Sequence, residues 1–356
     1  MATIIQEPDN NFARTLKDLI VEGDCTVGVR LEWDSGASVE VLPTTLFAAN
    51  SDGLVVIPIR SMLRNLLDHD YENFIECPWL TIHLDGAEYS YHISEGADLG
   101  TDIFDPYVCT VSPQIQTISA KQPLRLSVKA YGDETCYLNI TGYYANGQTV
   151  ECSVNAQFQA QISIITLDIS YQTVNAALRA IIDTNYPSWA GSKDCVAFDV
   201  QYVIRGYEYD IKPRRYVLRD SKLGDKFFLF QNQRGGYDVI CFTGEEVVAT
   251  TTTPARYTAW GVEHELEGTS VIEHTINTGY IKDEAHRVWV LDFLRSNHRW
   301  LIDNSGEMVP IVVDVDKAEH IIRALNSYSF KYRRADAQQD FIVPQREDLE
   351  QFIYIK

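Results

Sequence analysis

Residues 227–244 read FFLFQNQRGGYDVICFTG, and this stretch decides the fold. The apolar run Phe227–Phe230 meets Arg234-Gly235-Gly236-Tyr237, and a second run continues to Phe242, Thr243 and Gly244. Two β-prone runs joined by a glycine turn predict a hairpin, with glycine supplying the positive φ that the turn needs. The same grammar recurs along all 356 residues, and the 20 Tyr and 14 Phe against three Met suit pleated, half-buried sheets.

Working outward, residues 1–112 read as an N-terminal β-rich domain. Val27, Val29, Leu31 and Trp33 alternate with polar neighbours and stop at Ser35-Gly36. Asp52-Gly53 then introduces Val55, Ile57 and Ile59, and Asp85-Gly86 marks another turn. Met62, Leu63, Leu66 and Leu67 predict a short helix over Ser61–Leu67. Residues 113–215 read as a β-sandwich-like domain. Leu124, Leu126, Val128 and Ala130 alternate there with Arg125, Ser127 and Lys129, and Asn146-Gly147 makes a turn. Short strands punctuated at this spacing signal a sandwich. Val174, Leu178, Ile181 and Ile182 predict one helix over Thr173–Ile182. Residues 216–356 read as a C-terminal β domain holding the hairpin, strand-like runs at Val247–Thr253 and Arg256–Leu266, and one clear helix from Asp283 to about Ser296. The expected fold class is mainly β: a multi-domain β-sandwich or barrel protein with a few short helices.

Composition narrows the function classes. Lys and Arg total 30 against 50 Asp and Glu, a formal charge of −20. Binding to phosphate backbones or anionic membranes needs basic surfaces, so both are disfavoured. Cys25, Cys77, Cys109, Cys136, Cys152, Cys195 and Cys241 are odd in number and lack a CxxC pair, which points to buried free thiols made in a reducing cytosol. The start MATIIQEPDNNFART does not read as a signal peptide, and no apolar run approaches a bilayer span.

Candidate chemistry is sparse. Glu263-His264-Glu265-Leu266-Glu267, with His274 beyond it, offers metal-ligand residue types, yet the alternation of Val262, His264 and Leu266 fits a strand with a solvated face. Asp314-Val315-Asp316 and Asp68-His69-Asp70 group carboxylates, but acid–base catalysis needs convergent groups in a cleft, and both read as surface features. No nucleophile elbow, phosphate loop or dinucleotide fingerprint is present. The expectation is a chain without catalytic, cofactor-binding or metal residues and without a cofactor.

Several stretches carry a resemblance. They are Thr3–Asp9 (TIIQEPD), Leu16–Ile20, Cys109–Tyr131 (CTVSPQIQTISAKQPLRLSVKAY), the hairpin Phe227–Gly244, Gly279–Leu294 (GYIKDEAHRVWVLDFL), Val309–Val315 (VPIVVDV) and the closing aromatic strand. Together they resemble structural proteins encoded by phages and prophages of gut Bacteroidetes, across most of the chain. The resemblance implies a non-enzymatic virion component of the tail, baseplate or tail tip, synthesised in the host cytoplasm. Its implied partners are further copies of itself and neighbouring virion proteins, without sequence-specific nucleic-acid binding or membrane insertion. No residue roles carry over. Two rival expectations are a receptor- or glycan-binding protein at the tail tip, and a surface-glycan depolymerase, which needs two carboxylates at a fitting separation.

Overall fold

A computed structural model describes residues 3–8, 12–63, 66–67, 74–94, 96–97, 107–131, 136–156, 162–205, 211–253, 256–260, 262–265, 269–315 and 326–335. The protein is mainly β, with three helices among the described residues. It divides into two compact units. The first comprises Met1–Ser221, Phe230–Val239 and Val288–Asn297; the second comprises Lys222–Leu229, Ile240–Arg287 and His298–Lys356.

The first unit opens with β1 (Thr3–Gln6), β2 (Leu19–Glu22), β3 (Cys25–Glu32), β4 (Ser38–Phe47), β5 (Leu54–Ile57), α1 (Ile59–Leu63), β6 (Phe74–Glu76), β7 (Trp79–Leu84) and β8 (Ala87–His92). Strands β1–β2–β5 make one sheet and β4–β3–β7–β8 another. Alternation along β3 turns Val27, Val29 and Leu31 into a shared core with Leu19, Val21, Ile57, Leu80 and Ile82. The Asp85-Gly86 turn is a two-residue hairpin loop with φ of 49° and 85°, the geometry that matches strand twist. Helix α1 begins two residues before the expected Ser61, directly behind Pro58, whose carbonyl accepts from the Ser61 and Met62 amides.

The same unit continues with β9 (Ile115–Ser119), β10 (Arg125–Tyr131), β11 (Cys136–Tyr143), β12 (Thr149–Ala156), β13 (Ile162–Asp168), α2 (Tyr171–Asn185), β14 (Ala197–Ile204) and β15 (Arg214–Arg219). A five-stranded sheet runs β12–β11–β14–β15–β9, with β15 and β9 parallel, and a three-stranded sheet runs β10–β13–β6. Strand β6 thus comes from the first stretch of chain and completes a sheet of the second. Leu126, Val128, Ile165, Ile140, Val200, Phe198 and Tyr216 form the core that these two sheets share. Helix α2 extends beyond the expected Thr173–Ile182 at both ends and lays Val174, Leu178 and Ile182 on that core. It sits close because Gly142 of β11 has no side chain: a Cβ there would meet Leu178 Cδ1 at 2.5 Å.

The chain then forms β16 (Lys226–Gln231), β17 (Tyr237–Phe242), β18 (Glu246–Thr253), β19 (Arg256–Ala259), β20 (Val262–Glu265), β21 (Thr269–Asn277), α3 (Glu284–Arg295), β22 (Arg299–Ile302), β23 (Met308–Asp314) and β24 (Ser329–Arg334). The second unit is built on a sheet ordered β17–β16–β22–β23–β24–β21–β18, to which the hairpin β16–β17 contributes its base. Phe228, Phe242, Phe330 and Tyr332 pack edge-on and tilted at 5.4 to 6.4 Å. Of Arg256–Leu266, expected as one strand, the described part is instead the two-stranded ribbon β19–β20, with Trp260 between its strands at φ 56°; Leu266 lies outside the described residues.

Truncating Leu178 to Ala removes buried apolar surface from α2 and opens a cavity, so urea melts should show a loss of about 3 kcal/mol. Gly142→Val should destabilise at least as much, because the new side chain must displace Leu178.

Candidate functional site

The polar residues that pack deepest surround the turn of the 227–244 hairpin, within the first unit. Asn232 N donates to Gly236 O (2.8 Å) and Gly235 N to Asn232 O (3.0 Å), which makes a three-residue loop with Gly235 in the left-handed region at φ 79°. Gly236 is glycine for a different reason. A Cβ on it would lie 2.6 Å from Ser127 Cβ and 2.9 Å from Cys109 Cβ. Only one of the two glycines therefore serves positive φ; the other lets the turn lie flat on β10.

Contacts across that approach are polar. Ser127 Oγ accepts from Tyr237 N (2.8 Å), donates to Tyr237 O (3.1 Å) and lies 3.0 Å from Thr166 Oγ1. Asn232 spends its whole side-chain inventory: Nδ2 donates to Cys109 O and Asp238 Oδ2 (both 2.9 Å), and Oδ1 accepts from Arg234 N (2.9 Å) and Gly236 N (3.2 Å). Asp238 Oδ2 also accepts from Val111 N at 3.0 Å. Two guanidinium groups hold the same neighbouring segment by its carbonyls. Arg234 Nη1 donates to Val108 O (2.7 Å), and Arg214 donates to Ser112 O (2.6 Å) and Thr110 O (2.8 Å). Residues 108–112 meet β10 through the Val108–Val128 bridge and through the Cys109 and Thr110 amides, which both donate to Ser127 O, so these side chains satisfy backbone groups that a longer regular ladder would have paired.

Electrostatics follow from burial. Desolvation lifts the Asp238 carboxyl to about 6 despite the hydrogen bonds from Val111 and Asn232, which favour its charged form. Desolvation lifts Asp292 on α3 to about 7, opposed by the Gln233 amide, which donates to it at 3.1 Å. Lys129 is 1% exposed, and its Nζ has no hydrogen-bond acceptor among the described residues; it lies 5.2 Å from the centre of the Phe12 ring. Desolvation lowers its pKa. The arrangement is chemically a lock. Its carboxylate, amide and guanidinium groups are closed off from solvent and directed at main chain.

Two other places present side chains outward. One is a trough of about 950 Å³ on the polar face of the five-stranded sheet, lined among others by Tyr137, Asn139, Thr141, Asn155, Gln201 and Arg205. Farther along this face Arg215 grips Asp199 through two hydrogen bonds of 2.7 and 2.8 Å, with Tyr143 donating to the same carboxylate at 2.7 Å. Burial would raise the Asp199 pKa, but Arg215 and Tyr143 outweigh it and hold it low.

The other place is the hairpin arm of the second unit, formed by β18, the ribbon β19–β20 and β21. Val247, Val248, Tyr257, Val262 and Val271 are exposed along it, and Trp260 at the turn is fully exposed. At its base Glu246 receives Lys226 Nζ (3.0 Å), His274 Nδ1 (3.0 Å) and Tyr332 Oη (2.5 Å), while the His274 ring stacks on Tyr332 at 4.7 Å. Burial would raise the Glu246 pKa, yet these three partners keep it below the usual range.

The residues singled out by sequence lie apart. His274 on β21 bonds Glu246, whereas Glu263, His264 and Glu265 are on β20, in the separate ladder with β19. Asp314 is exposed on β23 opposite Lys331; Asp316 and Asp68–Asp70 lie outside the described residues. Among the described residues no group of three or more His, Cys, Asp and Glu side chains is placed to hold a metal ion. All seven cysteines are free thiols, five of them buried. Sequence reasoning did not single out Asn232, Arg234, Asp238, Arg214 or Asp292. The available signal was one Asp inside the apolar run Tyr237–Phe242, a position where an unpaired carboxylate is costly.

Gly236→Ala should destabilise by about 2–4 kcal/mol in urea melts, since turn and sheet must part. The carboxyls also set a pH dependence. Their folded pKa values exceed the unfolded value near 4, so their contribution to stability is fully present below pH ~4 and is lost as pH rises through about 6 and 7. Melting temperature measured from pH 4 to 8 should fall over that window. The double variant Asp238→Asn, Asp292→Asn should flatten the slope.

The comparisons with known proteins add no counterpart to this arrangement: no protein-family model matches the chain, and no curated protein sequence matches it significantly.

Proposed function

We propose that this chain is a non-enzymatic structural subunit of a phage virion, in the tail, baseplate or tail tip, working by self-assembly and by docking to neighbouring virion proteins. The observation that carries the reading is the exposed apolar surface of β18–β21 and of the ribbon β19–β20: five exposed large apolar side chains and a fully exposed Trp260. Exposed apolar surface concentrated this way marks contact surface, and Trp is the residue type most enriched at binding hot spots. The interior supports the same reading, because buried Asp238, Asp292, Arg214 and Arg234 of the first unit brace main chain. The resemblance noted in the sequence supplies the virion context, and the charge of −20 keeps nucleic acid from competing for these surfaces.

Mass spectrometry of purified phage particles from a producing strain tests the reading. The chain should be present in multiple copies per particle; particles that assemble without it overturn the proposal.

A second reading, glycan binding, is favoured by the trough, whose amide, hydroxyl and Tyr137 side chains suit a hydroxyl-rich ligand. On a glycan array this reading predicts binding that Tyr137→Ala reduces at least tenfold, and an array without signal removes it.

A further inference from the structure

We infer that β18 is a pairing edge, and that its occupant is the β18 strand of a second copy of this chain, joined antiparallel about a two-fold axis. The inference rests on the assembly reading above and names the surface and partner through which it operates.

Strand β18 closes one side of the seven-stranded sheet, so one row of its backbone N–H and C=O groups has no strand partner among the described residues. Proteins normally protect such edges with charge, proline, bulges or brevity. Several other edges among the described residues do so. Strand β4 carries Glu40, Pro43 and two register shifts, β8 carries Glu88, and β12 carries Glu151. Strand β18 has its one charge at the first residue, Glu246, where Lys226 and His274 already engage it. Its ladder with β21 runs without a register shift from Glu246 to Thr253, and Val247–Thr253 (VVATTTT) holds no charged residue and no proline. Val and Thr are the residue types that pairing favours.

Charge argues for a second copy as the occupant. Two chains of −20 repel each other unless their contact line is neutral. Along β18 it is neutral. The strand's only acid, Glu246, is at its start and is already matched by Lys226 and His274. Antiparallel pairing centred on Thr250 lays neutral strand on neutral strand and sends the two Glu246 residues to opposite ends. The exposed Val247 and Val248 come to lie beside the second copy's strand, and the two sheets become one.

Sedimentation equilibrium of the full chain tests the pairing, with cross-linking of Thr250→Cys as the second measurement. The wild-type protein is expected at twice the mass of one chain at tens of micromolar. Val248→Lys with Thr250→Lys should return it to single-chain mass with an unchanged circular dichroism spectrum. Thr250→Cys should give a disulfide-linked dimer under mild oxidation, while Thr45→Cys on the protected edge β4 should not. A concentration-independent monomer, a dimer indifferent to the Lys pair, or equal cross-linking at Thr45 overturns the inference. None of those results touches the presence of the chain in purified particles, so the two readings fail separately.

Discussion

The structure depends on one constraint: backbone polar groups taken out of water must find partners. Where the 227–244 turn comes down on β10, residues 108–112 pair with β10 only around Val128 and Ser127. Side chains take the place of a strand. Asn232 and Asp238 hold one set of main-chain groups, and Arg214 and Arg234 hold the carbonyls between. Each of these side chains is costly to bury alone and worthwhile when saturated, which ties every member of the cluster to the others. Ser127 and Gly236 set how close the turn can come, so the geometry of the cluster hangs on two very small residues.

The distribution of charge follows a related logic. Arg214 and Arg234 inside the first unit act on main chain, and Lys226 beside β18 offsets Glu246. The neutral, β-branched surface that remains is placed at a sheet edge and an exposed ribbon. Interior polar groups set shape, whereas the uncharged exterior is left for contact.

Much of the fold was legible because its signals are local. The Phe227–Phe242 hairpin, the Asp85-Gly86 turn, the α3 stripe and the alternation of β3 and β10 depend on neighbours within a few residues. What escaped depends on distance. Alternation showed that Ser127 and Lys129 share a face, but that face is dry because a turn more than a hundred residues later covers it. Gly235 and Gly236 looked like one turn signal, and only the approach to Ser127 separates their roles. The β19–β20 reversal was hidden because Trp260, a bulky residue, occupies a left-handed position that turn chemistry reserves for Gly or Asn. The candidate carboxylate and histidine runs gathered residue types without convergence, while the saturated interior cluster is assembled from single polar residues scattered over the chain.

The docking of the hairpin turn on β10 also has a consequence for the order of events during synthesis. Tyr237 and Asp238 bond residues 127 and 111, so these contacts close loops of more than a hundred residues. Such non-local closures are entropically slow and come late. The nascent chain therefore emerges with both cores of residues 1–221 able to collapse while the polar side of β10 stays wet. The arrival of the hairpin seals it, so maturation of this part of the first unit waits on translation past Val239.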